Sequence, residues 1–121
     1  SPFYLDVDLC LKTDIIIPTT VFMEIAHEFL VHLKSVTGLD EMWTVIITRR
    51  KKSYWKDSKN AFVNGFHLLV PNVQVTPSIM KEFRKAVLAD NYWFDLLSDY
   101  PIIINKKHTL EDIIDVLQAR C

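Results

Sequence analysis

A single mixed α/β or α+β domain is the fold that this sequence predicts. Three observations carry the prediction: strand-like runs are interspersed with amphipathic helical segments, the composition suits an ordered core, and the chain contains no repeat or low-complexity tract. With 121 residues, 50% of them hydrophobic, the chain is long enough for one core and too short for two. Aromatics at 12% and only 2 glycines exclude a disordered tail or a flexible linker.

From Phe3 to Cys10, the apolar Phe3, Leu5, Val7 and Leu9 alternate with Tyr4, Asp6, Asp8 and Cys10, the period-2 pattern of a half-buried strand. After an extended Ile15–Ile17, Pro18 and the Thr19/Thr20 pair start a helix whose buried side is Phe22, Ile25, Ala26, Phe29, Leu33 and Val36. Gly38 supplies its stop. Trp43 to Thr48 is a β-branched second strand, followed by a basic and aromatic stretch from Arg49 to Lys59. Gly65 marks a turn, and Phe66 to Val70 form a third strand that Pro71 ends or confines to an edge, with Val73 to Val75 resuming extended structure. Thr76 and Pro77 cap and open a helix that buries Ile79, Met80, Phe83 and Val87. A short aromatic helix from Asp90 or Asn91 to Leu97 and an extended Pro101–Ile104 follow. Thr109 with Asp112 forms a capping-box pattern for a last segment, where Leu110, Ile113, Ile114 and Leu117 have helical spacing.

The formal net charge of −1 provides no global attraction to nucleic acid, so any such affinity has to be local. Two cysteines, Cys10 and Cys121, are too few for a disulfide framework or a zinc site built on cysteine pairs, which fits a reducing, intracellular setting. No apolar run approaches the ~20 residues of a membrane span, and the N-terminus lacks a signal-peptide pattern. Ser1 and Pro2 lead straight into a strand and Cys121 ends without a cap, so the chain reads as a piece of something longer.

Three features carry chemistry. Residues two apart in a strand lie roughly 6.5 Å apart at Cα, so Asp6 and Asp8 can converge on one divalent ion or bridge two that are about 3.5–4 Å apart. Their mutual repulsion, roughly 3 kcal/mol at ~6 Å and an effective dielectric of 20, is relieved either by a cation or by full solvation of an ordinary strand face. His67 on the third strand can ligate metal, accept a proton or bind phosphate, or else serve as a hydrogen-bonded core group. Arg49, Arg50, Lys51, Lys52, Lys56 and Lys59, with Tyr54 and Trp55 interleaved, can hold phosphates and stack on bases, or form a solvated loop. No glycine-rich phosphate loop of either common type is present.

Taken in order, Tyr4-Leu5-Asp6-Val7-Asp8-Leu9, the basic stretch, and Asn64-Gly65-Phe66-His67-Leu68-Leu69-Val70-Pro71 resemble the archaeo-eukaryotic primase superfamily. The similarity is nearest to the primase domains of large DNA viruses, poxvirus and asfarvirus types included, in which the domain precedes a helicase. It spans nearly the whole chain through two short motifs. The resemblance implies an α+β, RRM-like catalytic core with a mostly antiparallel sheet and packed helices, residues 1–121 forming one partial domain. It implies that Asp6 and Asp8 hold Mg²⁺ or Mn²⁺ and that His67 contacts the nucleoside triphosphate. A third aspartate after two apolar residues falls on Ile113-Ile114-Asp115, although the local helical spacing keeps Asp115 open as an exposed helix residue and leaves Asp112 as a rival. Lys59 is assigned to nucleotide, and Arg49 and Lys51 to nucleic acid. The family's N-terminal subunit would precede Ser1, and its later basic residue would follow Cys121. The implied function is primer synthesis on a single-stranded DNA template, in the host-cell cytoplasm or at a viral replication site. The residues themselves leave two rivals: a metal-dependent nuclease, and an inactive single-strand-binding module.

Overall fold

Every second side chain of the first strand is withdrawn from water. Phe3, Leu5, Val7 and Leu9 are essentially inaccessible, while Tyr4, Asp6 and Asp8 between them are half-buried. That alternation fixes one sheet face toward a hydrophobic core and leaves the other for polar groups. The computed structural model describes residues 1–104 and 114–115. Its elements are β1 (Pro2–Leu11), α1 (Thr19–Thr37), β2 (Ile46–Arg49), β3 (Tyr54–Lys56), β4 (Ala61–Gln74), α2 (Pro77–Ala89), α3 (Tyr92–Asp95) and β5 (Ile114–Asp115). The strands form one antiparallel sheet in the order β2-β4-β1-β5, with β3 pairing β4 beyond β2. Leaving out β3 and α3, the sequence of elements is β-α-β-β-α-β, the split βαβ arrangement. This is the antiparallel α+β core with packed helices that the resemblance implies.

Both helices cover the apolar face. α1 buries Phe22, Ile25, Ala26, Phe29 and Leu33, as the spacing predicts, with Val36 half-buried. It ends at Gly38, whose φ of 70° is left-handed and whose N–H donates to the Lys34 carbonyl at 2.8 Å. α2 starts at the predicted cap: the Thr76 hydroxyl accepts the Ile79 N–H at 3.2 Å, and Pro77 occupies the first turn, where its missing donor costs nothing. Aromatic rings join the layers. Phe22 lies 4.8 Å from Phe66 and Phe3 lies 5.1 Å from Phe83, centroid to centroid, while Phe29 meets the edge of Trp93 at 5.3 Å. The indole N–H of Trp93 donates to the Val87 carbonyl at 2.8 Å, which satisfies the one polar atom of the largest buried side chain. Each fully buried Phe contributes about 1.5–3 kcal/mol of apolar transfer. No described helix is long and apolar enough to cross a membrane.

The structure redraws several expectations. The third strand runs from Ala61 to Gln74 instead of Phe66 to Val70, and Gly65 lies inside it, not at a turn. Pro71 does not end it, because the register shifts there: Phe3 pairs with Val70 but Pro2 with Gln74, and β2 reaches only to Leu69. A proline without an N–H is tolerated at such an irregularity. The Ile15–Ile17 stretch, read as extended, joins no strand of the sheet, and the Ile17 amide is held by the buried Asn64 side chain at 3.1 Å. Ile114 and Asp115 are strand residues paired with Val7 and Asp6, so the helical spacing around them does not decide their structure. Thr109, Leu110, Asp112, Ile113 and Leu117 lie outside the described residues. The second strand begins at Ile46 instead of Trp43, and Pro101–Ile104 contributes a bridge from Ile102 to Leu11.

A polar contact links the helices. His32 on α1 sits 2.7 Å from the carboxylate of Asp90, the residue that closes α2. Burial pushes the Asp90 carboxyl up, but hydrogen bonds from His32, the Tyr92 backbone and Glu28 outweigh it and hold the group below its ordinary value. A lowered acid stabilises the fold above its unfolded pKa and loses that contribution as pH falls through the folded value. Glu28 is raised, first by burial and then by its hydrogen bond with Asp90, and acts in the opposite sense. His32→Gln is therefore expected to cost about 1–2 kcal/mol at neutral pH. In urea unfolding, the difference from wild type should shrink as pH falls through the lowered Asp90 value; a pH-independent difference would show that this pair does not couple to folding.

Candidate metal and nucleotide site

Three of the predicted residues, Asp6, His67 and Asp115, share one register row across the sheet. By register, Thr48 of β2 stands opposite His67 of β4, His67 opposite Asp6 of β1, and Asp6 opposite Asp115 of β5. His67 Nε2 lies 3.2 Å from Asp6 Oδ1, an ion-pair distance, with the imidazole 51% exposed and the aspartate 20%. His67 is thus neither sealed in the core nor turned away from the acids. The Tyr4 ring packs beside the imidazole, 5.6 Å between centroids.

Asp8 owes its position to a missing side chain. It pairs with Gly65, and a Cβ on Gly65 would lie 2.0 Å from the Val7 carbonyl oxygen and 3.0 Å from Asp8 Oδ1. Glycine at this point lets the two strands close and leaves room for the Asp8 carboxylate. The field of the acid pair registers on Tyr4: burial first, then the charges of Asp6 and Asp8, push its phenol above the ordinary value, so it stays protonated at neutral pH.

Asp6, Asp8 and His67 open into a cleft of about 570 Å³. Its other walls include Thr48, Arg50, Tyr54 and Lys56. The volume lies in the range of small-molecule sites, roughly 300–1,000 Å³. A cleft with two carboxylates on one wall and two cationic side chains on the other can hold a divalent ion beside a phosphate chain. The oxygen donors suit a hard ion such as Mg²⁺ or Mn²⁺, for which the imidazole is a poorer ligand than a carboxylate.

The basic stretch divides more finely than its composition suggests. Arg49 lines the cleft, but its guanidinium turns to the helix side. It stacks 4.5 Å over Phe22, donates to Asn64 at 3.1 Å and to Thr19 at 3.3 Å, and contacts the Ile17 carbonyl. Lys51 and Lys59 lie outside the cleft lining, Lys51 exposed and Lys59 half-buried. Arg50, Tyr54 and Lys56, which composition alone did not single out, do line it, and the Arg50 guanidinium covers the Tyr54 ring at 4.8 Å. The available signal was period-2 patterning: as a strand, Tyr54-Trp55-Lys56 sends its first and third residues to the same side.

The family model described as the C962R protein N-terminal AEP domain matches residues 1–121, and the chain belongs to that family. It is therefore a primase-type nucleotidyl-transfer domain of the archaeo-eukaryotic primase superfamily, on the side of the large DNA virus primase-helicases. A comparison with curated proteins finds no match. The close approach at Gly65 yields a direct check. Gly65→Ala is expected to part β1 from β4 at a cost of about 1–3 kcal/mol, read as a lower urea midpoint; an unchanged midpoint would show that this contact is loose.

Proposed function

We propose that this domain is the catalytic core of a DNA primase-polymerase, which makes primers on a single-stranded DNA template by metal-dependent nucleotidyl transfer. The observation that carries the reading is the register row that brings Asp6 to within 3.2 Å of His67, beside Asp8, at the mouth of a cleft walled by Arg50 and Lys56. Asp6 and Asp8 hold Mg²⁺ or Mn²⁺, and Asp115, at the register position across from Asp6, is the third carboxylate. The bound ions would activate the attacking 3′ oxygen and offset charge on the leaving pyrophosphate.

His67 positions the triphosphate by donating to a phosphate oxygen, and Tyr4 braces its ring. Arg50, just past the end of β2, and Lys56 of β3 line the same space and complement the remaining phosphate charge. Lys51 and Lys59, near the β3 hairpin but outside the cleft, guide template and nucleotide into it. Arg49 anchors the cleft wall to α1 through Phe22 and Asn64, and any contact it makes with nucleic acid comes from that fixed position. Residues 1–121 would be one part of a larger primase domain joined to a helicase in the same polypeptide, acting at a replication site in the cytoplasm of an infected cell.

Incubating the full-length protein with single-stranded template, nucleotides and Mn²⁺ is expected to give extended products; shortened template would identify a nuclease instead. Asp6→Asn and Asp8→Asn should each abolish synthesis while leaving the far-UV circular dichroism spectrum unchanged. His67→Ala is expected to raise the apparent KM for nucleotide about 10- to 100-fold, the loss of one charge-assisted hydrogen bond. An unchanged KM would remove His67 from the nucleotide site.

A further inference from the structure

The helix layer, on the side of the sheet away from the cleft, carries a second convergence of metal-ligating groups. Glu28 and His32 stand one turn apart on α1, and Asp90 closes α2. One donor atom from each lies within 4.8 Å of the other two. His32 Nε2 is 2.7 Å from Asp90 Oδ2 and 3.8 Å from Glu28 Oε1, and the three side chains are only 19–24% exposed. The second oxygen of Asp90 accepts the Tyr92 N–H at 2.9 Å, so that carboxylate is already oriented.

We propose that Glu28, His32 and Asp90 bind a first-row divalent ion, Zn²⁺ by the nature of the donors, at a site separate from the acids of the cleft. One imidazole nitrogen with two carboxylate oxygens is a set that Zn²⁺ accepts and that Mg²⁺, which prefers oxygen and water, does not. Charge points the same way: an imidazolium between two carboxylates leaves one negative charge over, whereas a divalent ion with a neutral imidazole balances both acids. Zn–N and Zn–O bonds of about 2.0–2.2 Å place tetrahedral donors roughly 3.3–3.5 Å apart. The observed 2.7 and 3.8 Å lie on either side of that spacing, so side-chain adjustments of under about an ångström would seat the ion. As the ion binds, the Nε2 proton now donated to the Asp90 hydrogen bond passes through water to Nδ1, or to solvent from a protonated ring, so the imidazole ligates in its neutral form, and water takes the fourth position.

Such an ion would clamp α1 to the junction of α2 and α3, behind the strands that carry the cleft acids, and its binding energy would add to folding. The test uses full-length protein carrying Asp6→Asn and Asp8→Asn, so that the cleft does not contribute. After equilibration with Zn²⁺ and dialysis, introducing His32→Gln or Glu28→Gln should each lower the bound Zn²⁺ by one equivalent per chain. Glu28→Gln keeps the size and hydrogen-bonding capacity of the side chain, so a loss there with an unaltered circular dichroism spectrum reports a ligand and not a fold. Equal Zn²⁺ content in the parent and both variants would overturn the proposal and leave the cluster as an ion-pair contact between helices.

Discussion

The β1–β4 ladder is the contact on which the rest of this structure depends, and its tightest point is Gly65. The backbone of β1 passes so near that any side chain there would collide with the Val7 carbonyl. With the strands closed at that point, the register is set along their length: Leu5 opposite Leu68, Asp6 opposite His67, Val7 opposite Phe66. Alternation then separates two functions. The apolar partners face the helices, and the acids and the imidazole lie side by side on the face that opens into the cleft. A slip of one residue would exchange the faces, sending Asp6 and Asp8 into the core and Val7 into water. Hydrophobic burial on one side of the sheet therefore enforces the geometry of the polar site on the other.

The helix layer reinforces that register. Phe22 against Phe66, the residue before His67, and Phe83 against Phe3 tie α1 and α2 to β4 and β1. Arg49 extends the tie to β2. Its guanidinium, spread over Phe22 and bonded to Asn64, connects the edge of the cleft to the start of α1. Asn64 also fixes the Ile17 amide, so one buried amide side chain organises the loop that enters α1 and the wall of the cleft. The residues of the cleft wall are in this way held by neighbours on the helix side of the sheet.

Much of this was legible in the sequence. Period-2 patterning from Phe3 to Cys10 placed both aspartates on one face, and the string from Gly65 to Pro71 paired them with His67 through a family resemblance that the family match then bore out. Thr76-Pro77 and Gly38 marked helix ends because their effects are local. Long-range effects were harder to read. Gly65 looked like a turn because its real constraint is the backbone of a strand 57 or more positions away, and Pro71 looked like a strand end because what accommodates it is a bulge in the pairing of β4 with β1, where residues 71–73 have no β1 partner. Ile114 and Asp115 carry helical spacing but pair as a strand, since tertiary pairing overrides a weak local preference. The basic stretch could not be sorted by composition: only the fold shows that Arg49 turns inward while Arg50 and Lys56 face the cleft.

The central claim is that Asp6, Asp8 and His67 serve one ion and one triphosphate in a common pocket. A crystal of the protein grown with Mn²⁺ and a non-hydrolysable nucleoside triphosphate tests it most directly, through the anomalous signal of the metal. A Mn²⁺ peak bonded to the carboxylates of Asp6 and Asp8, with a phosphate oxygen within hydrogen-bond distance of His67, is the expected result. A nucleotide bound with its phosphates away from His67, or a metal peak that avoids both aspartates, would contradict it.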